Sequence, residues 1–139
     1  MSWRRGVLIF FLFLAAAPAF AASPAGYWYG EGYQPLWHEN AQWLMRLAPD
    51  GTYAVEFRRY RYCKLDLDQK ETGWWKLSGE FRTVTTDVNG HPTRHENDYR
   101  VSALTDDEFR ITHIATGQAY VEQRVGADFV MPAPRCPTS

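Results

Sequence analysis

The sequence has few cysteines, little net charge and few long apolar runs, and each of these shortages excludes a structural feature or a class of function. Two cysteines among 139 residues allow no more than one disulfide within the chain. A formal net charge of −1 differs from the strongly basic charge of nucleic-acid-binding proteins. Beyond residue 21, no apolar run reaches the roughly 20 residues of a membrane-spanning helix. We therefore expect a soluble chain that binds no nucleic acid and has no membrane span beyond residue 21.

Motifs of catalysis and metal binding are also missing. No serine lies in a G-x-S-x-G turn, and the sequence has no C-x-x-C or H-E-x-x-H spacing. Nothing in the sequence places two of the 16 carboxylates across a cleft. The histidines are scattered, and we interpret them as solvated loop residues rather than metal ligands: His38, His91, His95 and His113. We expect no enzymatic activity, no cofactor and no metal.

The first 21 residues have the parts of a signal peptide. Arg4 and Arg5 precede an apolar run from Val7 to Ala17, and the small-residue pattern Ala19-Phe20-Ala21 follows. A retained membrane anchor is the alternative, but the run is short for one. The two arginines also allow the twin-arginine route, although general secretion fits better. The sequence thus predicts cleavage after residue 21 and a periplasmic or secreted protein.

An oxidising compartment gives the two cysteines a structural interpretation. A disulfide between Cys63 and Cys136 would close a loop of about 70 residues, which contributes roughly 4 kcal/mol in the chain-entropy description. A pair of free thiols is the alternative. Residues 126–139, with three prolines, are expected to form an extended C-terminal strap that this disulfide ties to the body.

Residues 22–125 have the pattern of a single all-β domain. Short runs rich in aromatic and β-branched residues alternate with turns, of which Asp50-Gly51 and Asn89-Gly90 are favoured hairpin dipeptides. Asp66–Glu71 is polar and is expected to be a loop or a short helical turn, and His91–Asn97 is expected to be a loop. The predicted strands are Tyr27–Gly30, Ala41–Ala48, Thr52–Cys63, Gly73–Ser78, Glu80–Val88, Asn97–Leu104, Glu108–Ala115 and Ala119–Val125.

About eight short antiparallel strands need protection for their edges. Closure into a small up-and-down barrel gives that protection, and a two-sheet sandwich is the alternative. Alternation along the strands predicts an aromatic inner face, with Tyr53, Val55 and Phe57 on one side of their strand. The residues expected to form the apolar part of a binding site are Trp43, Tyr53, Phe57, Tyr99 and Phe109, with His113 on the same face as Ile111.

Two short segments and one arginine resemble features of the lipocalins and the wider calycin barrels. Gly26-Tyr27-Trp28 resembles the G-x-W start of that family, Asn97-Asp98-Tyr99 resembles its T-D-Y segment, and Arg124 lies on the last predicted strand. The resemblance implies a compact lipocalin-like barrel in which Arg124 stacks on Trp28. Gly73-Trp74-Trp75 is a second G-x-W, so either motif could be the family-like one. The family likeness also implies a cup for a small apolar or amphipathic ligand.

The basic and aromatic strip from Arg58 to Lys64 breaks the alternation. If the alternation continues past Phe57, Arg59 and Arg61 point inward near a strand end. They would then need a carboxylate, a water-filled mouth or an anionic ligand. A β-bulge after Phe57 is the alternative, and it would turn Tyr60 and Tyr62 inward and leave the arginines solvated.

Together these features predict an exported, lipocalin-like binding protein for a small apolar or amphipathic ligand, whose head group could be anionic and held by Arg59 and Arg61. The alternative is a periplasmic protein-binding module, such as an inhibitor or immunity protein. In that case loops such as His91–Asn97 would enter the cleft of an envelope protein.

Overall fold

The computed structural model describes residues 22–34 and 38–134, which form eight strands. The predicted signal peptide, residues 1–21, and Cys136 lie outside the described residues. No described segment forms a helix long and apolar enough to cross a membrane. The strands are β1 (Gly26–Gln34), β2 (Glu39–Leu47), β3 (Thr52–Arg61), β4 (Lys64–Ser78), β5 (Glu80–Val88), β6 (His91–Leu104), β7 (Glu108–His113) and β8 (Ala119–Val125).

The eight strands form one closed antiparallel barrel in up-and-down order. Each strand pairs with the next along the chain, and β8 pairs with β1 to complete the ring. The predicted all-β fold and its closed up-and-down barrel are confirmed. Closure pairs every strand with two neighbours, although β1 pairs with β8 only at Tyr27, Trp28 and Tyr29. It therefore removes most of the edge on which another chain could add a strand.

One short turn shows how the local sequence supports this topology. Asn89 and Gly90 connect β5 to β6, and both have positive φ angles, 52° and 81°. Such a turn matches the twist of the flanking strands, and asparagine and glycine tolerate positive φ better than other residues. The Asn89 side chain also accepts a hydrogen bond from the Lys70 backbone N–H at 2.8 Å, which links the turn to β4.

Two segments expected to be loops are instead strand. Asp66–Glu71 belongs to β4, where it pairs with the second half of β3, and His91–Asn97 belongs to β6, where it pairs with β5. The expectation failed because two of the three inward side chains of β4 here, Gln69 and Glu71, are polar, and only Leu67 is apolar. Hydrophobic periodicity cannot identify a strand whose inner face is polar.

The end of the barrel where β1 begins, here the closed end, is filled by buried side chains. Trp28 and Phe109 are fully buried with ring centroids 5.4 Å apart, and Phe81 lies 5.2 Å from Phe109. The remaining buried apolar side chains of this cluster are Met45, Leu47, Tyr53, Leu104 and Ile111. Burial of these rings supplies the main favourable contribution to folding.

Arg124 joins the last strand to the first at this end. Its guanidinium carbon lies 4.2 Å from the ring centroid of Trp28, its register partner across the β1–β8 pair. The same guanidinium donates hydrogen bonds to the backbone oxygens of Ser23 and Ala25, at 2.9 and 2.8 Å, and to that of Asp106. Trp75, from the second G-x-W, packs against Phe81 instead, with ring centroids 6.4 Å apart.

The chain after β8 lies on the outside of the barrel. The Phe129 ring packs on Tyr29 at 4.9 Å, and the Gln42 side chain donates a hydrogen bond to the Pro132 backbone oxygen at 3.0 Å. Met131 is buried in the same region. Residues 126–134 thus cover the outer face of β1 and β2. Because Cys136 is not among the described residues, its disulfide with Cys63 stays a prediction.

Candidate ligand-binding cavity

Beyond the closed-end core, toward the opposite end, the barrel holds a cavity of about 300 Å³, whose lining shares Met45, Tyr53, Phe81 and Ile111 with the core. Small-molecule sites begin at about this size, so the space suits a compact ligand. Phe57 and Leu67 line the cavity toward this end and are only partly buried. The lining consists of Trp43, Met45, Tyr53, Val55, Phe57, Leu67, Gln69, Glu71, Phe81, Thr83, Asn97, Tyr99, Ile111, Tyr120 and Glu122.

The structure brings four of the predicted apolar site residues to this cavity. They are Trp43, Tyr53, Phe57 and Tyr99. Phe109 shares their inner face but lies in the closed-end core. His113 lies beside Tyr99, with ring centroids 5.2 Å apart, and its Nε2 is 3.0 Å from the Asn97 side-chain oxygen. His113 therefore positions a lining residue rather than lining the cavity itself.

Arg59 and Arg61 lie beyond Phe57 at the end of β3 and are not among the residues that line the cavity; carboxylates face both. Along β3 the register with β2 is regular, so Arg59 keeps the face of Phe57. The irregularity lies between Arg59 and Tyr60 in the pairing with β4, and Tyr62 is 67% exposed. Arg59 Nη2 is 2.7 Å from Asp66 Oδ2, and Arg61 Nη2 is 3.5 Å from Glu39 Oε2.

Glu122 is the most unusual side chain of the cavity. It is 3% exposed, and its Oε1 accepts a hydrogen bond from Trp43 Nε1 at 3.0 Å. Its Oε2 is buried with no hydrogen-bond partner among the described residues. Burial raises the pKa of Glu122 to about 7, and the Trp43 hydrogen bond opposes part of that rise. An unsatisfied buried polar atom costs about 1–3 kcal/mol, so this carboxyl is a candidate for contact with a ligand.

Glu71, the second carboxyl of the lining, is held by its neighbours. Its Oε2 accepts hydrogen bonds from the hydroxyls of Tyr53, at 2.8 Å, and Thr85, at 3.4 Å. Its Oε1 accepts one from Gln69 Nε2 at 2.6 Å. Glu71 is thus satisfied within the protein, whereas Glu122 retains an oxygen that can accept a hydrogen bond from a ligand.

The tyrosines around the carboxyls remain neutral at physiological pH. Burial, together with the nearby Tyr120 and Glu122, raises the pKa of Tyr99 to about 12. Burial also raises the pKa of Tyr53, and Glu71 adds to that rise. Their hydroxyls are therefore hydrogen-bond donors and acceptors across the physiological range, and these tyrosines add no charge to the lining.

Glu71, Gln69 and Glu122 were missed in the search for site residues. The signal for Glu122 is alternation along β8, where Tyr120, Glu122 and Arg124 share a face. Residues of β8 that pair with the inward-facing residues of β7 also face inward. This rule would have placed Glu122 inside the barrel. No comparable signal identified Gln69 or Glu71, because the segment that contains them did not resemble a strand.

Gly30 makes the contact between Trp43 and Glu122 possible. Because β1 lies between β2 and β8, the Trp43 indole crosses β1 to reach Glu122. A Cβ at position 30 would lie 2.3 Å from Cε2 and Cζ2 of Trp43. Gly30→Ala is therefore expected to displace the indole, break its hydrogen bond and lower the free energy of unfolding by about 1–3 kcal/mol. Urea unfolding and tryptophan fluorescence would measure both effects.

Gly32→Ala is the matched control for that substitution. Gly32 lies on the same strand and face, and no atom lies within 4 Å of the Cβ that alanine would add. We expect the Gly32 variant to keep the fluorescence and stability of the parent within about 0.5 kcal/mol. Equal effects of the two substitutions would mean that the Trp43 contact does not account for the Gly30 result.

Comparison with known protein families finds none that matches this chain, and comparison with curated proteins likewise finds no match. Among the described residues, no group of three or more His, Cys, Asp or Glu side chains is arranged to hold a metal ion. The interpretation of the cavity therefore depends on its own geometry.

Proposed function

We propose that this chain is an exported binding protein that holds a small apolar or amphipathic molecule in the cavity of a lipocalin-like barrel. The observation that carries the proposal is the division of the interior into two parts. Large rings fill the closed end, whereas about 300 Å³ is left open between the aromatic side chains of the other end. A cavity lined by rings and a few fixed polar groups is the usual design of a small-molecule site.

The polar groups of the lining give the site a preferred ligand orientation. Glu71 and Glu122 lie on β4 and β8, and the apolar wall between them includes Phe81 and Ile111. An apolar ligand body would replace water against that wall, while a polar group would meet a carboxyl. This arrangement supports an amphipathic ligand rather than a purely hydrocarbon one.

Native mass spectrometry of protein recovered from a bacterial periplasm tests this proposal. We expect a fraction of the protein to carry a small-molecule adduct that denaturation releases. Val55→Trp, which places an indole in the cavity, should abolish the adduct because little space would remain. Val121→Trp is the matched control, since Val121 is on the outer surface and 42% exposed.

Two results would contradict the proposal or its assignment of the ligand to the cavity. Absence of an adduct from every preparation of the folded parent protein would contradict the proposal. An adduct that survives Val55→Trp but not Val121→Trp would contradict the assignment of the ligand to the cavity. Near-ultraviolet circular dichroism would establish that both variants retain packed aromatic side chains.

Protein binding is a second candidate function, and one surface favours it. Tyr33 and Tyr62 are large, exposed side chains that line one shallow surface pocket together with His38 and Asn40. Exposed aromatic groups of this kind are frequent in protein interfaces. The same mass spectra distinguish the two functions, because a protein-binding module would retain a second polypeptide in fixed stoichiometry. Loss of that polypeptide on Tyr62→Ala would support the second candidate.

A further inference from the structure

Glu122 lines the cavity, and its carboxyl has an unused hydrogen-bond acceptor. Trp43 occupies Oε1, and Oε2 is buried with no partner among the described residues. Because Glu122 lines the cavity, a ligand there is the source of a donor for Oε2 that its position favours. Because an ionised carboxylate only accepts hydrogen bonds, the group that meets it must be a donor.

The charge of the surroundings favours a cationic donor over a neutral one. The described lining contains two carboxyls, Glu71 and Glu122, and none of its residues is Lys, Arg or His. The nearest cation on the strand, Arg124, instead stacks on Trp28 and donates to three backbone oxygens. An anionic head group would meet this negative field. Arg59 and Arg61 do not line the cavity, and they already face Asp66 and Glu39.

Aromatic rings next to Glu122 add to the same preference. Tyr120 lies in edge contact with Trp43, with ring centroids 5.7 Å apart, and 6.3 Å from Tyr99. All three rings line the cavity beside Glu122. The faces of tryptophan and tyrosine rings attract cations, and such rings around a carboxylate form a site for an organic ammonium group.

From this geometry we infer that the cavity selects a compact ligand with a protonated amine on an apolar or aromatic body. The ammonium would donate to Glu122 Oε2, and the body would lie against the Phe81 and Ile111 wall. The inference rests on the proposed binding function and adds the class of ligand. It also reverses the head-group charge expected from the sequence, since Arg59 and Arg61 lie outside the cavity lining and are paired with carboxylates.

Isothermal titration calorimetry with three matched probes tests the inference. The probes are 2-phenylethylamine, 2-phenylethanol and 3-phenylpropionate, which share an aromatic body and differ in head-group charge. At pH 8, where Glu122 is ionised, we expect the amine to bind at least tenfold more tightly than the alcohol and the carboxylate not to bind. Glu122→Gln should weaken amine binding roughly 10- to 100-fold because the charge is lost but the shape is kept.

The controls distinguish a failure of this inference from a failure of the proposed binding function. Alcohol binding that changes less than about twofold in Glu122→Gln would show that the variant cavity is intact. Glu80→Gln, at an exposed position outside the cavity, should leave all affinities unchanged. Equal binding of amine and alcohol, or amine affinity unaffected by Glu122→Gln, overturns the inference and leaves the ligand cavity standing. If none of the probes binds, the inference is overturned, and the binding function falls only if the mass spectra also lack an adduct.

Discussion

Trp28→Ala is expected to lower the free energy of unfolding by about 4 kcal/mol, the largest effect of any single substitution considered for this barrel. Trp28 is fully buried in the closed-end core, where its ring packs against Phe109 and under the Arg124 guanidinium. Its Nε1 also donates a hydrogen bond to the Pro24 backbone oxygen at 2.8 Å. The substitution removes these contacts together and leaves a cavity at the junction where β8 meets β1.

Urea unfolding followed by circular dichroism measures this loss, with Trp74→Ala as the matched control. Trp74 belongs to the second G-x-W segment but is 55% exposed on the outer face, so its removal should cost less than about 0.5 kcal/mol. Similar losses for both variants would contradict the assignment of Trp28 as the residue that holds the ring closed.

The fold could be predicted from sequence where the inner face is apolar. On β3 the alternation of Tyr53, Val55 and Phe57 has a period of two, and short turns bound the strands. Under these conditions pattern and turn chemistry agree, and closure follows because an open sheet of short strands would expose two edges. The confirmed barrel depends on these apolar strands.

The same reasoning failed where the inner face lines the cavity. Gln69 and Glu71 face inward on β4, so the polar segment that looked like a loop is part of the longest strand. Its backbone is ordered by pairing with β3 rather than by burial of its own side chains. Backbone pairing between neighbouring strands leaves no hydrophobic pattern in the sequence. The polar side chains that concealed this strand also give the cavity its polar groups.

The sequence also could not predict how far along the barrel axis each inward side chain lies. Phe109 and Tyr99 both face inward, yet Phe109 lies in the closed-end core and Tyr99 lines the cavity. Which layer a residue occupies depends on strand tilt and register, which one sequence does not specify. The same applies to Arg59, whose partner Asp66 is brought to it by the irregular pairing of β3 with β4.

The buried carboxyl of Glu122 is expected to make the protein less stable as the pH rises from about 4.5 to about 7. Its pKa is raised from the ordinary value of 4.5 to about 7 by burial, so between these values the folded state binds a proton that the unfolded state has released. Stability therefore falls with increasing pH through this window and is constant with respect to this group on either side. The full difference corresponds to about 3 kcal/mol.

Glu122→Gln removes this titration, so the comparison isolates it from the other carboxyls. Between pH 4.5 and pH 8 the parent should lose about 3 kcal/mol of unfolding free energy relative to the glutamine variant, measured by urea titrations at several pH values. The tyrosines that line the cavity do not interfere because burial raises the pKa of Tyr53, Tyr99 and Tyr120, and Glu71 is present in both proteins. Glu80→Gln, at an exposed position, should follow the parent at every pH. A stability difference between parent and Glu122→Gln that does not change with pH would mean that this carboxyl is not strongly desolvated, and would remove the physical reason for a ligand to pair with it.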